Sequence, residues 1–118
     1  MKDATADGAW LNKANGDSIS YFSTCNDPSD PSLDSVARDL FSGVSELNIV
    51  NQSNPTFNGR EALKMDAQGR IDGVVTRIST LVFKKNGCTY TLSHVGVSKT
   101  FDHDQVTFET FLKSFKAP

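Results

Sequence analysis

Thiols and imidazoles are the side chains here most suited to chemistry near neutral pH, and the chain has two of each: Cys25, Cys88, His94 and His103. A nucleophilic thiol needs a base beside it. His94 shares the strand phase of Cys88 but lies six positions further on. That is about 20 Å at the usual strand rise, so the two cannot meet within one strand. Neither cysteine sits in a nucleophile elbow or a cysteine-protease signature. His103 stands between two carboxylates in "FDHDQ", residues 101–105. Consecutive residues at a helix start point apart, and aspartates there serve as caps, so the segment reads as a solvated first turn rather than a metal centre. The chain has neither Cys-x-x-Cys nor His-x-x-x-His. Its eight glycines form no phosphate loop, because "SGVSEL" and "NGREAL" lack the glycine spacing and the Lys-Ser/Thr pair. The residues therefore lead us to expect no enzyme, no metal and no cofactor.

Two readings of the thiols stay open at this point. A bridge between them would close a ring of about 64 residues and stabilise the fold by about 4 kcal/mol in the chain-entropy model. Two free, buried thiols are the alternative, since cysteine is a common core residue. Strand phase groups Cys25 with Ile19 and Tyr21, and Cys88 with Tyr90 and Leu92, so both could face one core layer.

The elements that position these residues follow from periodicity. After an Asn15-Gly16 turn signal, a β-rich run covers about residues 18–24. Asp30-Pro31 suits an N-cap and first helical position, and Leu33, Val36, Ala37, Leu40, Phe41 and Val44 then form one helical stripe ending near Gly43. From Glu46 to Val97 the character is that of strands: "ELNIVNQ", a loop "SNPTFNG", the alternating "REALKMDA", a "QGR" turn, and "DGVVTRISTLVFKK". An Asn86-Gly87 hairpin turn then leads into "CTYTLSHVGV". The run Leu81-Val82-Phe83 is apolar on both phases, which predicts cover on both faces of that strand. A last helix is expected from an Asp102 cap with Gln105 completing a capping box and a Phe101–Val106 staple. Its stripe is Phe108, Phe111, Leu112 and Phe115. The expected architecture is α+β: residues 1–16 as a polar leader, then one domain over 17–118 in which an antiparallel sheet of about five strands packs with two helices, in the order strand, helix, four strands, helix.

Composition narrows the function classes. At 118 residues the chain suits one domain with a real core, and a net charge of −2 gives no basic field for nucleic acid. Lys84-Lys85 beside Phe83 reads as a soluble hairpin tip rather than an RNA platform. No apolar run approaches the roughly 18 residues of a membrane helix. Residues 1–39 hold seven Asp against three Lys or Arg, without EF-hand spacing. Trp10, an aromatic in polar surroundings, reads first as packing back on the domain and second as a contact residue.

The hairpin strand "NGCTYTLSHVG", the bridge "SKTFDHD" and the closing "FETFLKSFK" resemble the C-terminal half of small PsbP-like domains, where a strand of the pattern Y.L.Y.A precedes a helix ending F..FL.SF. More closely, "STCNDPSDPSLDSVARDLFSG", "NGREAL" and "GCTYTLSHVG" look like a family of bacterial envelope lipoproteins of unknown function. In that family one cysteine follows the first strand and a second opens the hairpin strand, as Cys25 and Cys88 do. The resemblance covers about residues 17–116. It implies a domain exported to the cell envelope or periplasm, its anchor cysteine lost with a signal region. Membrane attachment would then come only through an N-terminal lipid anchor absent from this chain. It also implies an oxidising compartment, which favours a Cys25–Cys88 disulfide. The expected function is a non-enzymatic envelope accessory or protein-binding module whose partner is an unknown envelope protein. Trp10, Asp27, Asp30 and Asp34 are the expected contact surface. The alternative is a binder of a small hydrophobic ligand or lipid between sheet and helix.

Overall fold

In a computed structural model, residues 8–11, 17–26 and 28–116 are described. The elements are β1 (Gly8–Leu11), β2 (Ser18–Cys25), α1 (Leu33–Leu40), β3 (Ser45–Ser53), β4 (Thr56–Phe57), β5 (Arg60–Ile71), β6 (Val74–Lys85), β7 (Cys88–Val97) and α2 (Phe101–Ser114). Every strand pairing is antiparallel, and the sheet order is β1-β2-β7-β6-β5-β3, with β4 also paired to β5. This is the expected α+β architecture with two more strands than the sequence suggested. One is β4. The other is β1, which runs through the stretch read as a leader and pairs with β2, the Trp10 backbone opposite Ile19.

The two helices cover opposite faces of the sheet. Ile19, Leu81, Phe83, Tyr90 and Leu92 meet Phe108 and Leu112 of α2. Leu63, Met65, Ala67, Ile78 and Val82 meet Ala37 and Phe41 at α1. Residues 78–83 of β6 are consequently all buried, as a strand apolar in both phases requires.

Three two-residue turns make the middle of the chain a meander. Asn58-Gly59, Asp72-Gly73 and Asn86-Gly87 all have positive φ, between 52° and 80°, as a type I′ hairpin demands. The "QGR" stretch is not a turn. β5 continues through it to Ile71, and Gly69 is buried where a Cβ would collide with the Val44 side chain and stand 2.8 Å from the Ser45 carbonyl oxygen. That glycine serves the close approach of the α1–β3 connection, and the reversal falls at Asp72-Gly73.

Both helix starts differ from expectation. Ser32, not Asp30, caps α1, its hydroxyl accepting from the Ser35 amide at 3.1 Å, and the helix stops at Leu40, ahead of Gly43. Asp30 instead has a φ of +42° and pairs with Lys84. At α2 the cap position belongs to Thr100, and the capping box and staple do not form. Gln105 is turned to His94, and Val106 is 69% exposed. The Asn15-Gly16 turn signal lies outside the described residues.

Candidate functional site

The cysteines occupy one register position at the end of the β2–β7 ladder, Cys25 opposite Cys88, and are joined by a disulfide with an S–S distance of 2.04 Å. Of the expected contact residues, Asp30 pairs with Lys84 at 2.7 Å and Asp34 with Arg38 at 2.9 Å, one helical turn on. Asp27 lies outside the described residues. Trp10 is placed by its backbone in β1, the edge strand beside β2. The structure thus gives Asp30 and Asp34 local cationic partners.

A second group of polar residues gathers where α2 begins. Asp17, His94 and Asp104 are all buried there. Asp17 immediately precedes β2, His94 comes from the middle of β7, and Asp104 from the first turn of α2. The Thr100 hydroxyl donates to the Asp17 carboxylate at 3.2 Å, and Asp17 shares a hydrogen bond with Asp104. The imidazole of His94 stacks on Phe101, with centroids 4.1 Å apart, and its Nδ1 lies 2.7 Å from Gln105 Oε1. Its Nε2 stands 3.8 Å from Asp17 Oδ2, too far for a hydrogen bond. Gly96 makes this approach possible, since a Cβ there would lie 2.5 Å from the Asp17 carboxylate.

Burial pushes the Asp17 carboxyl above its ordinary value, and the hydrogen bond and charge of Asp104 push the same way. The Thr100 hydrogen bond and the nearby imidazole act in the opposite direction. Two buried carboxyls that share a hydrogen bond need a proton between them. Ser79, across the ladder from His94, does not complete a nucleophilic pair. Its hydroxyl donates to Asp66 at 2.6 Å. The cluster therefore ties the start of β2 to α2 and β7 beneath the helix. Among the described residues no group of three or more His, Cys, Asp or Glu is arranged to hold a metal.

The open space lies at the opposite end of α2, where the helix ends over the β6–β7 turn. There a groove of about 610 Å³ runs between the β4–β5 turn and the helix, with Phe57, Leu81, Leu112 and Phe115 among its lining residues. Its rim carries Lys64, Lys85, Lys113 and Lys116, against a single carboxylate, Glu109. Asn58 holds one wall in place by donating from Nδ2 to the Phe115 carbonyl at 3.1 Å. The Phe57 and Phe115 rings stack alongside, 6.4 Å apart. Beyond the rim is a polar cleft of about 490 Å³ beside the disulfide, bordered by Arg60, Lys84, Lys85 and the Asn86-Gly87 turn. Lys85 lines both spaces. Volumes of this order are typical of small-molecule sites.

This architecture has solved counterparts. PA94 of Pseudomonas aeruginosa, a protein of unknown function, superposes with a TM-score of 0.78 at 11% identity, over 100% of this chain and 86% of its own. The cyanobacterial PsbP of Synechocystis sp. PCC 6803 gives 0.69 at 13% identity, over 100% of this chain and 79% of its own. LpqN of Mycobacterium tuberculosis, involved in cell envelope biogenesis, gives 0.60 at 11% identity, over 88% of this chain and 64% of its own. The fold is PsbP-like. No protein-family model matches the chain, and no curated protein matches it in sequence.

Within this PsbP-like fold, sequence reasoning offered a space between sheet and last helix as an alternative but not the groove's outer wall, and it missed the buried cluster. Leu112 and Phe115 were legible as part of a helix stripe, but the outer wall is β4, two residues long and read as loop. The cluster joins Asp17, His94 and Asp104 across 87 positions of chain. Only the register of β2 on β7 and the docking of α2 bring them together. "FDHDQ" is accordingly not a wholly solvated turn: Phe101 and Asp104 are buried, while Asp102 and His103 are exposed.

Proposed function

We propose that the protein is a non-enzymatic accessory module of the cell envelope that works by binding, and that its site is the groove beside α2. The observation carrying this reading is the contrast between the two ends of that helix. At its start, the histidine and carboxylates are buried beneath the helix, Asp17 bonded to Asp104 and Thr100 and His94 to Gln105 through Nδ1. At its finish, a half-apolar groove stands open. The occupant on this reading is a small hydrophobic ligand. An exported, envelope-associated setting is supported by the disulfide and by the likeness to LpqN, although that likeness concerns fold. The same considerations support the envelope-lipoprotein family named above.

A neutral hydrophobic fluorophore such as N-phenylnaphthylamine tests the groove. We expect saturable, equimolar binding that Thr56→Trp abolishes, because Thr56 is exposed on the rim and a larger ring there fills the space. Absence of binding, or binding indifferent to this variant, would exclude the groove as the site.

A protein partner is a second reading, favoured by β3. It is an edge strand exposed almost throughout, with Leu47 and Val50 among its outward side chains. An extended segment could add to such an edge, although the register shifts at Ser45/Asn48 and Ile49/Asn51 interrupt the ladder. Site-specific photocrosslinking from position 50 in intact envelopes distinguishes it: one discrete adduct lost on Leu47→Lys, a change on the same exposed edge, supports this reading.

A further inference from the structure

In the buried cluster at the start of α2, the direction of each hydrogen bond fixes the proton on the imidazole. Gln105 donates from Nε2 to the Glu109 carboxylate at 3.1 Å, which turns its Oε1 toward His94. An amide oxygen only accepts, so the 2.7 Å contact requires a hydrogen on Nδ1 of His94. A neutral His94 then presents a bare lone pair at Nε2. That atom is buried and has no hydrogen-bond partner among the described residues, and Asp17 Oδ2 stands 3.8 Å from it. Leaving a buried acceptor so is costly, and a proton on the line between the two atoms would satisfy both. Charged groups approach this ring from each neighbouring element. Asp17 stands just ahead of Ile19, the β2 residue opposite His94. Across β6 the row continues with Ser79, whose hydroxyl donates to Asp66 of β5, itself paired with Lys64. Arg77 of β6 lies over the Phe101 ring and pairs with Asp102 at 2.8 Å. From α2 come Asp104, hydrogen-bonded to Asp17, and Gln105 with Glu109 behind it.

We propose that His94, Asp17 and Asp104 form a pH-sensitive clasp, which takes up one proton on the line from His94 Nε2 to Asp17 Oδ2 and thereby fastens the first turn of α2 to β2 and β7. With one proton shared between the two carboxyls and a neutral imidazole, the cluster is singly negative. A second proton, taken from solvent, makes it neutral overall. That holds whether the proton resides as imidazolium against carboxylate or as imidazole against carboxylic acid, so the uptake belongs to the cluster rather than to one residue. A buried site favours the neutral cluster over the charged one. The raised carboxyl of Asp17 points the same way. The unfolded chain has no such shared proton, so the clasp is closed at mildly acidic pH and slackens as pH rises. Gln105 is a positioning residue here. It selects the tautomer and leaves Nε2 as the atom whose partner depends on pH. The clasp does not depend on what the groove at the other end of α2 binds.

The test is nuclear magnetic resonance on the full, oxidised, isotope-labelled chain between about pH 7.5 and about pH 5, within the range where histidines change charge. Ring nitrogen signals report the proton on each nitrogen of His94. Amide exchange, corrected for its intrinsic rate at each pH, reports the docking of α2. Nδ1 is expected to carry a proton throughout, and Nε2 to pass from a bare to a protonated or hydrogen-bonded nitrogen as pH falls. Protection of the Gln105 and Val106 amides should rise about ten-fold over the same range relative to the amides of α1, the size of one charge-assisted hydrogen bond. Gln105→Leu removes the acceptor at Nδ1, so the ring can turn its hydrogen to Nε2 and hold Asp17 at any pH. The rise in protection should then shrink to less than about two-fold, whereas Gln105→Glu, which keeps an acceptor there, should retain it. A proton on Nε2 with Nδ1 bare at the upper pH overturns the tautomer on which the clasp depends. Wild-type protection constant to within about two-fold, or Gln105→Leu with the wild-type pH dependence, overturns the clasp itself. Gln105 is half-buried, and the wild-type readings decide the matter by themselves should a variant fail to fold.

Discussion

Asp17 is an acid that its surroundings keep from ionising easily, and this inverts its contribution to acid stability. Burial and the neighbouring Asp104 raise its carboxyl in the folded protein, whereas an unfolded aspartate ionises near 3.9. The folded state therefore holds the proton more tightly. The resulting stabilisation is complete below about pH 4 and is lost as pH rises through the raised folded value. Asp17→Asn keeps an oxygen for the Thr100 hydroxyl and an amide donor for Asp104 but cannot ionise. The difference in Tm, wild type minus variant, should thus fall from pH 4 to pH 7, and thermal melts across that range would measure it. A difference that grew with pH would mean that ionised Asp17 is the favoured form. At this scale the sequence was least informative. His94 reads as one more inward residue of a strand, and nothing local to Asp17 or Asp104 announces that they will meet.

At the scale of elements, legibility followed the range of the interaction that fixes each boundary. The Asn86-Gly87 turn, the α1 stripe through Ala37 and the α2 stripe through Phe108 and Leu112 depend on neighbours a few residues away, and the sequence displays them. Caps were misread because distant partners compete for the same side chains. Lys84 takes Asp30, Arg77 takes Asp102, and His94 takes Gln105. Gly69 signalled a turn by its type and serves a close approach instead. The β4–β5 turn is the element on which the groove depends. Asn58 fastens it to the end of α2 while occupying a φ of +52°. Asn58→Gly keeps that backbone accessible and deletes the side-chain bond, so a loss of about 1 kcal/mol in urea unfolding is expected. The affinity for the neutral fluorophore should drop with it. Unchanged stability would mean that the turn is held by its aromatic contacts alone.

For the whole molecule, the governing connection is the one between the chain's two ends, since β2 and β7 are adjacent in the sheet and their cysteines are 63 residues apart. Replacing both with serine should cost about 3–4 kcal/mol, seen as a lower urea midpoint and a Tm reduced by roughly 10 °C or more. A loss under about 1 kcal/mol would show that the reduced chain keeps the two strands together unaided. The same link divides the life of the protein into two folding problems. Strands β4 to β7 are joined by two-residue turns and can zip up locally, so the strand pairing with the costliest loop closure in a newly made, reduced chain is the search that brings β2 to the far side of β7. Once oxidised, the chain never repeats that search. Each later opening by heat or an unfolding agent leaves the two strand ends tethered, and recovery begins with the β2–β7 encounter already made.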